Sequence, residues 1–370
     1  MNGSENAAAP ALAATPADAA PVHDAEAAAL REHRLRRSRL VFRACLAYTV
    51  LTTAVWAFLM ATGIDGGLFF GNYRVTVPQI AGFALFFTIF WVGFSYALYA
   101  VKYGLLRWVG LDAGEMRSVF SSRRVGFDLD ALLARHSERT FRIVDMIGRR
   151  GRFAFFALLG YSAIYVQTRE NPSAEALAFG LQASLFDAMI LSWAFVLSFH
   201  SDGAAGRLFY GATARVLDGI QGRANVLCIT TMWNAFKFAM IPIGLSLAGV
   251  FRPATYGVVY AFIWLSYAVA DIASEVFGSI FGRHGIRVWG LGDINRKSWE
   301  GVIAAFVCTL AVNLAIVTSN GLPTSWWALA VVIAVMNPLV ELASPRGTDD
   351  FTMATSNALV CLAFGRLGLA

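Results

Sequence analysis

Apolar runs long enough to cross a bilayer constrain this chain more than any other feature. Crossing the hydrocarbon core takes about 20 predominantly apolar residues. Nine segments read as candidate spans, at 41–62, 79–101, 153–168, 178–199, 226–250, 254–271, 301–318, 325–341 and 352–369. Only 15% of the 370 residues are charged, against roughly a quarter in a soluble domain. The expected class is therefore all-α, a polytopic membrane protein with about nine transmembrane helices.

Charge in the connections orients these spans. "REHRLRRSRL" precedes the first span, and the 102–152 loop carries eleven basic residues, from Lys102 and Arg107 through Arg149, Arg150 and Arg152. The 200–225 loop has Arg207, Arg215 and Arg223, and the 272–300 loop has Arg283, Arg287, Arg296 and Lys297. The alternate loops hold Arg74, Arg169, Arg252 and, in "TSNGLPTS", no basic residue. The positive-inside rule then puts the N-terminus in the cytoplasm and the C-terminus outside. It also accounts for the net charge of +6 without nucleic acid as a partner. Cys45, Cys228, Cys308 and Cys361 lie in or beside apolar spans, without the paired spacing of zinc sites or disulfide frameworks. They read as packing residues.

The organisation expected is an Ala/Pro-rich disordered tail over 1–30, an N-terminal four-helix membrane region over 31–225, and a C-terminal membrane region over 226–370. Within the basic loop, "DLDALLARHSERTFRIVDMIG" starts with an N-cap at Asp128. Leu129, Leu132, Leu133, Phe141, Val144 and Ile147 follow at helical spacing, which predicts an amphipathic helix lying on the membrane or packed on neighbouring loops. Asp187 and Lys237, each near the middle of a span, suggest a buried ion pair or part of a lipid-hydroxyl pocket.

Three segments concentrate groups that lipid disfavours. In "ADIASEVFGSIFGRHG", Ala270, Ser274, Gly278 and Gly282 form a small-residue ladder, with Asp271 and Glu275 on an adjoining stripe. Helix packing alone explains most such ladders, whereas carboxylates near bilayer depth are costly and usually mark a function. In "GLGDINRKSWEGVIAAF", Lys297 and Ser298 precede a span whose mouth carries Glu300 and Gly301. The bland readings are a positive-inside anchor and a helix cap. In "NPLVELASPRGTDDFTMATSNALV", Glu341 closes one span, and Asp349 and Asp350 open the next. Helix-dipole complementarity covers the two aspartates but not Glu341. All three segments face the cytoplasm in the expected topology. Clustered carboxylates suit Mg²⁺, which commonly works with substrate phosphates. Lys297, Arg283 and Arg296 suit triphosphate oxygens.

Asp271, Gly278 and Gly282, then "KSWEG" at 297–301, then Glu341 followed by "DDFTM", resemble the polyprenol kinase family, which includes dolichol kinase, phytol kinase and CTP-dependent diacylglycerol kinases. The resemblance covers about 255–370. Asp350 stands where that family usually has Asn, and Ala354 where it often has Pro. The Pro-Gly-His-Gly-Gly segment of the related CDP-diacylglycerol synthases is missing. The resemblance implies a CTP-dependent lipid kinase that phosphorylates a prenol or similar membrane lipid alcohol, with Mg²⁺ as cofactor. By the same resemblance Asp271 and Asp349 hold Mg²⁺, joined by Glu275 and Asp350, and Glu341 is a further ligand or the base. Lys297 holds triphosphate oxygens, with Arg283, Arg296 and Ser298 nearby, and Gly278 and Gly282 admit the nucleotide or a neighbouring helix. A phosphatidate cytidylyltransferase is the alternative, and a membrane transporter a more distant one. Homo-oligomerisation stays open.

Overall fold

The computed structural model describes residues 20–62, 77–121, 127–150, 189–211, 213–235, 255–292, 294, 296–345 and 347–369. Among these, almost all regular structure is helical. In chain order the helices are α1 (Ala20–Thr62), α2 (Val77–Val109), α3 (Ala113–Phe120), α4 (Leu129–Arg135), α5 (138–150) and α6 (189–198). Then come α7 (Ala204–Gly211), α8 (Gly222–Ala235), α9 (Tyr256–Phe281), α10 (Trp299–Ser319), α11 (Ser325–Ala343) and α12 (Asp349–Arg366).

Four of the described helices contain stretches long and apolar enough to cross a membrane: Thr88–Val109, Val258–Phe281, Trp299–Ser319 and Ser325–Ala343. The expected spans 41–62 and 352–369 fall in α1 and α12, which are helical but not among these four. The span at 153–168 lies outside the described residues, as do the first half of 178–199, residues 236–250 of the span at 226–250, and both Asp187 and Lys237. α1 starts at Ala20, so the last residues of the expected disordered tail are helical, in line with alanine's high helix propensity.

Helices α9 to α12 form an antiparallel bundle in which sequence neighbours pack and α12 closes against α9. Short connections enforce this up-and-down order. Between α10 and α11 the chain reverses through Gly321, whose φ of +59° suits glycine. Trp326 packs at the core between Phe262, tilted against it, and Phe364, edge-on to it. Buried amides tie the helices together. Asn313 accepts from Ser266 Oγ at 2.5 Å and donates to Ala330 O at 3.1 Å, and Asn357 donates to Ile263 O. Such bonds hold helices where lipid offers no hydrophobic drive for association. Ile303, Val307, Val331, Val335 and Leu339 remain exposed on α10 and α11, as lipid-facing residues would.

α9 ends at Gly282, whose N–H donates to Gly278 O at 3.2 Å. A short antiparallel ribbon follows, β1 (Gly285–Arg287) against β2 (Arg296–Ser298), pairing Ile286 with Lys297. Ser298 then caps α10 by accepting from Gly301 N–H. The ladder glycines meet at this crossing. A Cβ on Gly301 would lie 2.6 Å from Ser274 O, and one on Gly278 would lie 3.1 Å from Ser298 Oγ. Of the two uses expected for these glycines, the geometry displays the close approach of a neighbouring helix.

A second layer covers the same end of the bundle. The amphipathic segment is not one surface helix. It breaks at His136, and Ser137 caps α5 by accepting from Thr140 N–H at 3.2 Å. Asp128 does cap α4, accepting from Asp130 and Ala131 N–H. Leu129, Leu132, Phe141 and Val144 are buried against Leu106, Met116, Phe120, Val216 and Leu217, while Ile147 stays exposed. The apolar face packs on neighbouring loops because those loops present an apolar surface of their own. α8 packs against both α1 and α12, joining the two layers.

Candidate functional site

All three polar segments reach one end of the bundle. Asp271 and Glu275 lie in the last turns of α9, and Glu341 lies in the last turn of α11. Lys297 precedes α10, while Asp349 and Asp350 open α12. The up-and-down order makes this inevitable: two helices finish where the other two begin. Gly347, at φ +95°, turns the chain into α12 against Asn225 of α8.

Asp271, Glu341 and Asp349 each offer a carboxylate oxygen, and these oxygens lie within 4.8 Å of one another. Lys297 stands beside them. Its ammonium donates to Glu341 Oε1 at 2.6 Å and to Glu341 O at 3.2 Å, and lies 3.7 Å from Asp349 Oδ2. Burial works against the Lys297 charge, but Glu341 and Asp349 outweigh it and hold its pKa above the ordinary lysine value.

Glu275 is placed differently. Arg150 bonds both Glu275, through Nε, and Asp271, through Nη1 and Nη2, the latter at 2.9 Å. Arg149 and Arg215 approach the same Glu275 carboxylate at 3.4 and 3.5 Å. Burial opposes the charge of Arg150 and Arg215, and the surrounding acids more than restore it, so both pKa values stand above the arginine norm. Arg215 is positioned from below. Asp145 pairs with Lys102 at 3.2 Å, both side chains fully buried, and accepts from Val216 N–H at 2.8 Å, while Lys102 donates to Ala214 O at 2.5 Å.

The remaining expected residues are dispersed. Asp350 is buried on α12 but does not join the carboxylate trio. Arg296 pairs with Glu138 at 2.6 Å at the exposed rim of the cleft, and Arg283 is exposed in an adjoining open groove with His284 and Glu300. Ser298 and Gly278 line the floor as capping and packing groups, and Gly282 lies in the adjoining groove.

The trio suits a small hard cation. In a Mg²⁺ shell opposite oxygens lie about 4.2 Å apart and adjacent ones about 3 Å, so the trio, whose oxygens lie within 4.8 Å of one another, would draw together around one. Three carboxylates, Lys297 and a divalent ion sum to zero charge. Asn337, one turn before Glu341, is fully buried, and neither amide atom has a hydrogen-bond partner among the described residues. Such a group calls for ordered water or a ligand. The cleft between acids and arginines encloses about 70 Å³, room for a few waters. Arg149, Arg150 and Arg215 carried no sequence signal, since arginines in a cytoplasmic loop read as positive-inside anchors.

No protein-family model, curated protein or solved structure matches the chain.

Proposed function

We propose that this protein is a CTP-dependent lipid kinase that transfers the γ-phosphoryl group to the hydroxyl of a prenol or similar membrane lipid alcohol, with the site on the cytoplasmic face. One observation carries the reading: Asp271, Glu341 and Asp349, from three helices, converge beside the Lys297 ammonium at the end of an apolar bundle. Asp271, Glu341 and Asp349 would hold Mg²⁺, which neutralises triphosphate oxygens. Lys297 takes a triphosphate oxygen as a point charge. Phosphoryl transfer depends mainly on positioning and charge neutralisation, and these residues supply both. The lipid oxygen forms the new bond to the γ-phosphorus, the bond to the bridging oxygen breaks, CDP leaves, and the hydroxyl proton passes to water. Phe281, Trp289 and Trp299 are exposed at this end of the bundle, where aromatic residues sit at headgroup level. A lipid hydroxyl at the interface therefore lies at the right depth. The choice of CTP and of a prenol rests on the motif resemblance.

The test uses purified protein in detergent with Mg²⁺, prenols, diacylglycerol and phosphatidate, and CTP labelled at the α or the γ phosphate. Label entering lipid from the γ position alone is the expected result. Transfer from the α position would make the protein a cytidylyltransferase. Asp271→Asn is expected to abolish transfer while leaving the yield of folded protein nearly unchanged. Near wild-type transfer by that variant would remove Asp271 from the reaction.

A further inference from the structure

The acids of the site face a second layer of opposite charge that comes from outside the bundle. Arg149 and Arg150 end α5, and Arg215 lies in the segment before α8; their side chains are only 10–15% exposed. All three converge on Glu275, and Arg150 also bridges to Asp271. Asp271, and Asp145 and Asp218 near Arg215, join Glu275 in answering these charges, and the three arginines line the same cleft as the carboxylate trio. Arg142 and Arg296 line the same cleft.

We infer that Arg149, Arg150 and Arg215 bind polyphosphate alongside Lys297, and that Arg150 exchanges Asp271 for phosphate oxygens when a metal–polyphosphate complex enters. The inference rests on the proposed function for the identity of that polyphosphate as the nucleotide's. Charge balance gives the logic. A divalent cation alone competes with Arg150 for Asp271 and leaves the guanidinium with Glu275 alone of its two carboxylates. A polyphosphate alone meets the carboxylates of the trio. Together they complete both layers, metal toward the acids and phosphate toward the arginines, whose planar forks bind phosphate oxygens two at a time. The 102–152 and 200–225 loops thereby supply the anion-binding half of a site whose cation-binding half lies in the C-terminal bundle.

The experiment measures equilibrium binding of labelled tripolyphosphate to the full-length protein in detergent, with and without Mn²⁺, and separately Mn²⁺ binding by electron paramagnetic resonance. Wild type should bind tripolyphosphate at least tenfold more tightly with Mn²⁺. Arg149→Met and Arg215→Met should each lose most of that gain while binding Mn²⁺ alone as wild type does. Arg150→Met should lose the gain yet bind Mn²⁺ alone more tightly, because Asp271 is released. Should Arg150→Met fail to fold, the other two variants decide the matter. Wild-type tripolyphosphate affinity in both Arg149→Met and Arg215→Met would overturn the inference. Full γ-label transfer by those variants would do the same while leaving the kinase reading intact. Arginine-dependent tripolyphosphate binding without any transfer from CTP would sink the kinase reading and uphold the site.

Discussion

Gly301→Ala tests whether the packing of α9 on α10 sets the geometry of the site. The added Cβ would sit 2.6 Å from Ser274 O, a backbone atom, against about 3.4 Å for ordinary contact. A flexible side chain could turn aside, but a helix carbonyl cannot, so one helix must shift by about 0.8 Å. Overpacking of this kind costs about 1–3 kcal/mol. Ser274 lies one turn beyond Asp271, and Gly301 follows Lys297 by four residues. The shift therefore moves the Asp271 carboxylate against the Lys297 ammonium. Misplacement on the scale of 1 Å can lower turnover about 100-fold. We predict both losses together, read by SDS-titration unfolding in mixed micelles and by label transfer. Gly104→Ala is the control, since its Cβ meets nothing within 4 Å, and with no clash it should gain about 0.5–1 kcal/mol from alanine's higher helix propensity. A Gly301→Ala protein as stable as that control would refute the assigned crossing of α9 and α10.

Three further outcomes follow from named contacts. Lys102→Met strands the fully buried Asp145 and should cost about 3–5 kcal/mol, with Lys102→Met/Asp145→Asn recovering part of it in the same unfolding assay. The Lys297 pKa is raised above 10.5 in the folded protein, so its ion pairs contribute stability below that pH and lose it as pH rises through the folded value. The stability gap between wild type and Lys297→Met should accordingly hold constant from about pH 8 to 10 and narrow above; a gap that narrows by pH 9 would contradict the raised pKa. Asp128→Ala removes the cap of α4 and should cost about 0.5–2 kcal/mol, measurable by the same titration.

The sequence by itself determined the class of this protein and the half of the site that lies in the bundle. Apolar runs of bilayer length leave few alternatives to packed helices, because backbone groups in lipid must be satisfied within the segment. Asp271, Glu341 and Asp349 stand out in such runs because a carboxylate there is expensive, and helix order alone brings them to one end. Tertiary structure decided what each polar group does at that end. Glu275 and Asp271 share a helix face, yet one is enclosed by three arginines and the other also joins the carboxylate trio. Gly278 and Gly301 could have admitted a ligand or a helix, and the distances to Ser298 and Ser274 show a helix. The segment after Asp128 has the pattern of a surface helix, but the apolar faces of α3 and the 214–218 loop bury it instead. Arg149, Arg150 and Arg215 look in sequence like any cytoplasmic-loop arginines. Their contacts with Glu275 span 60 to 126 residues of chain, and no local pattern encodes a contact at that separation, because it depends on where two independently packed layers meet.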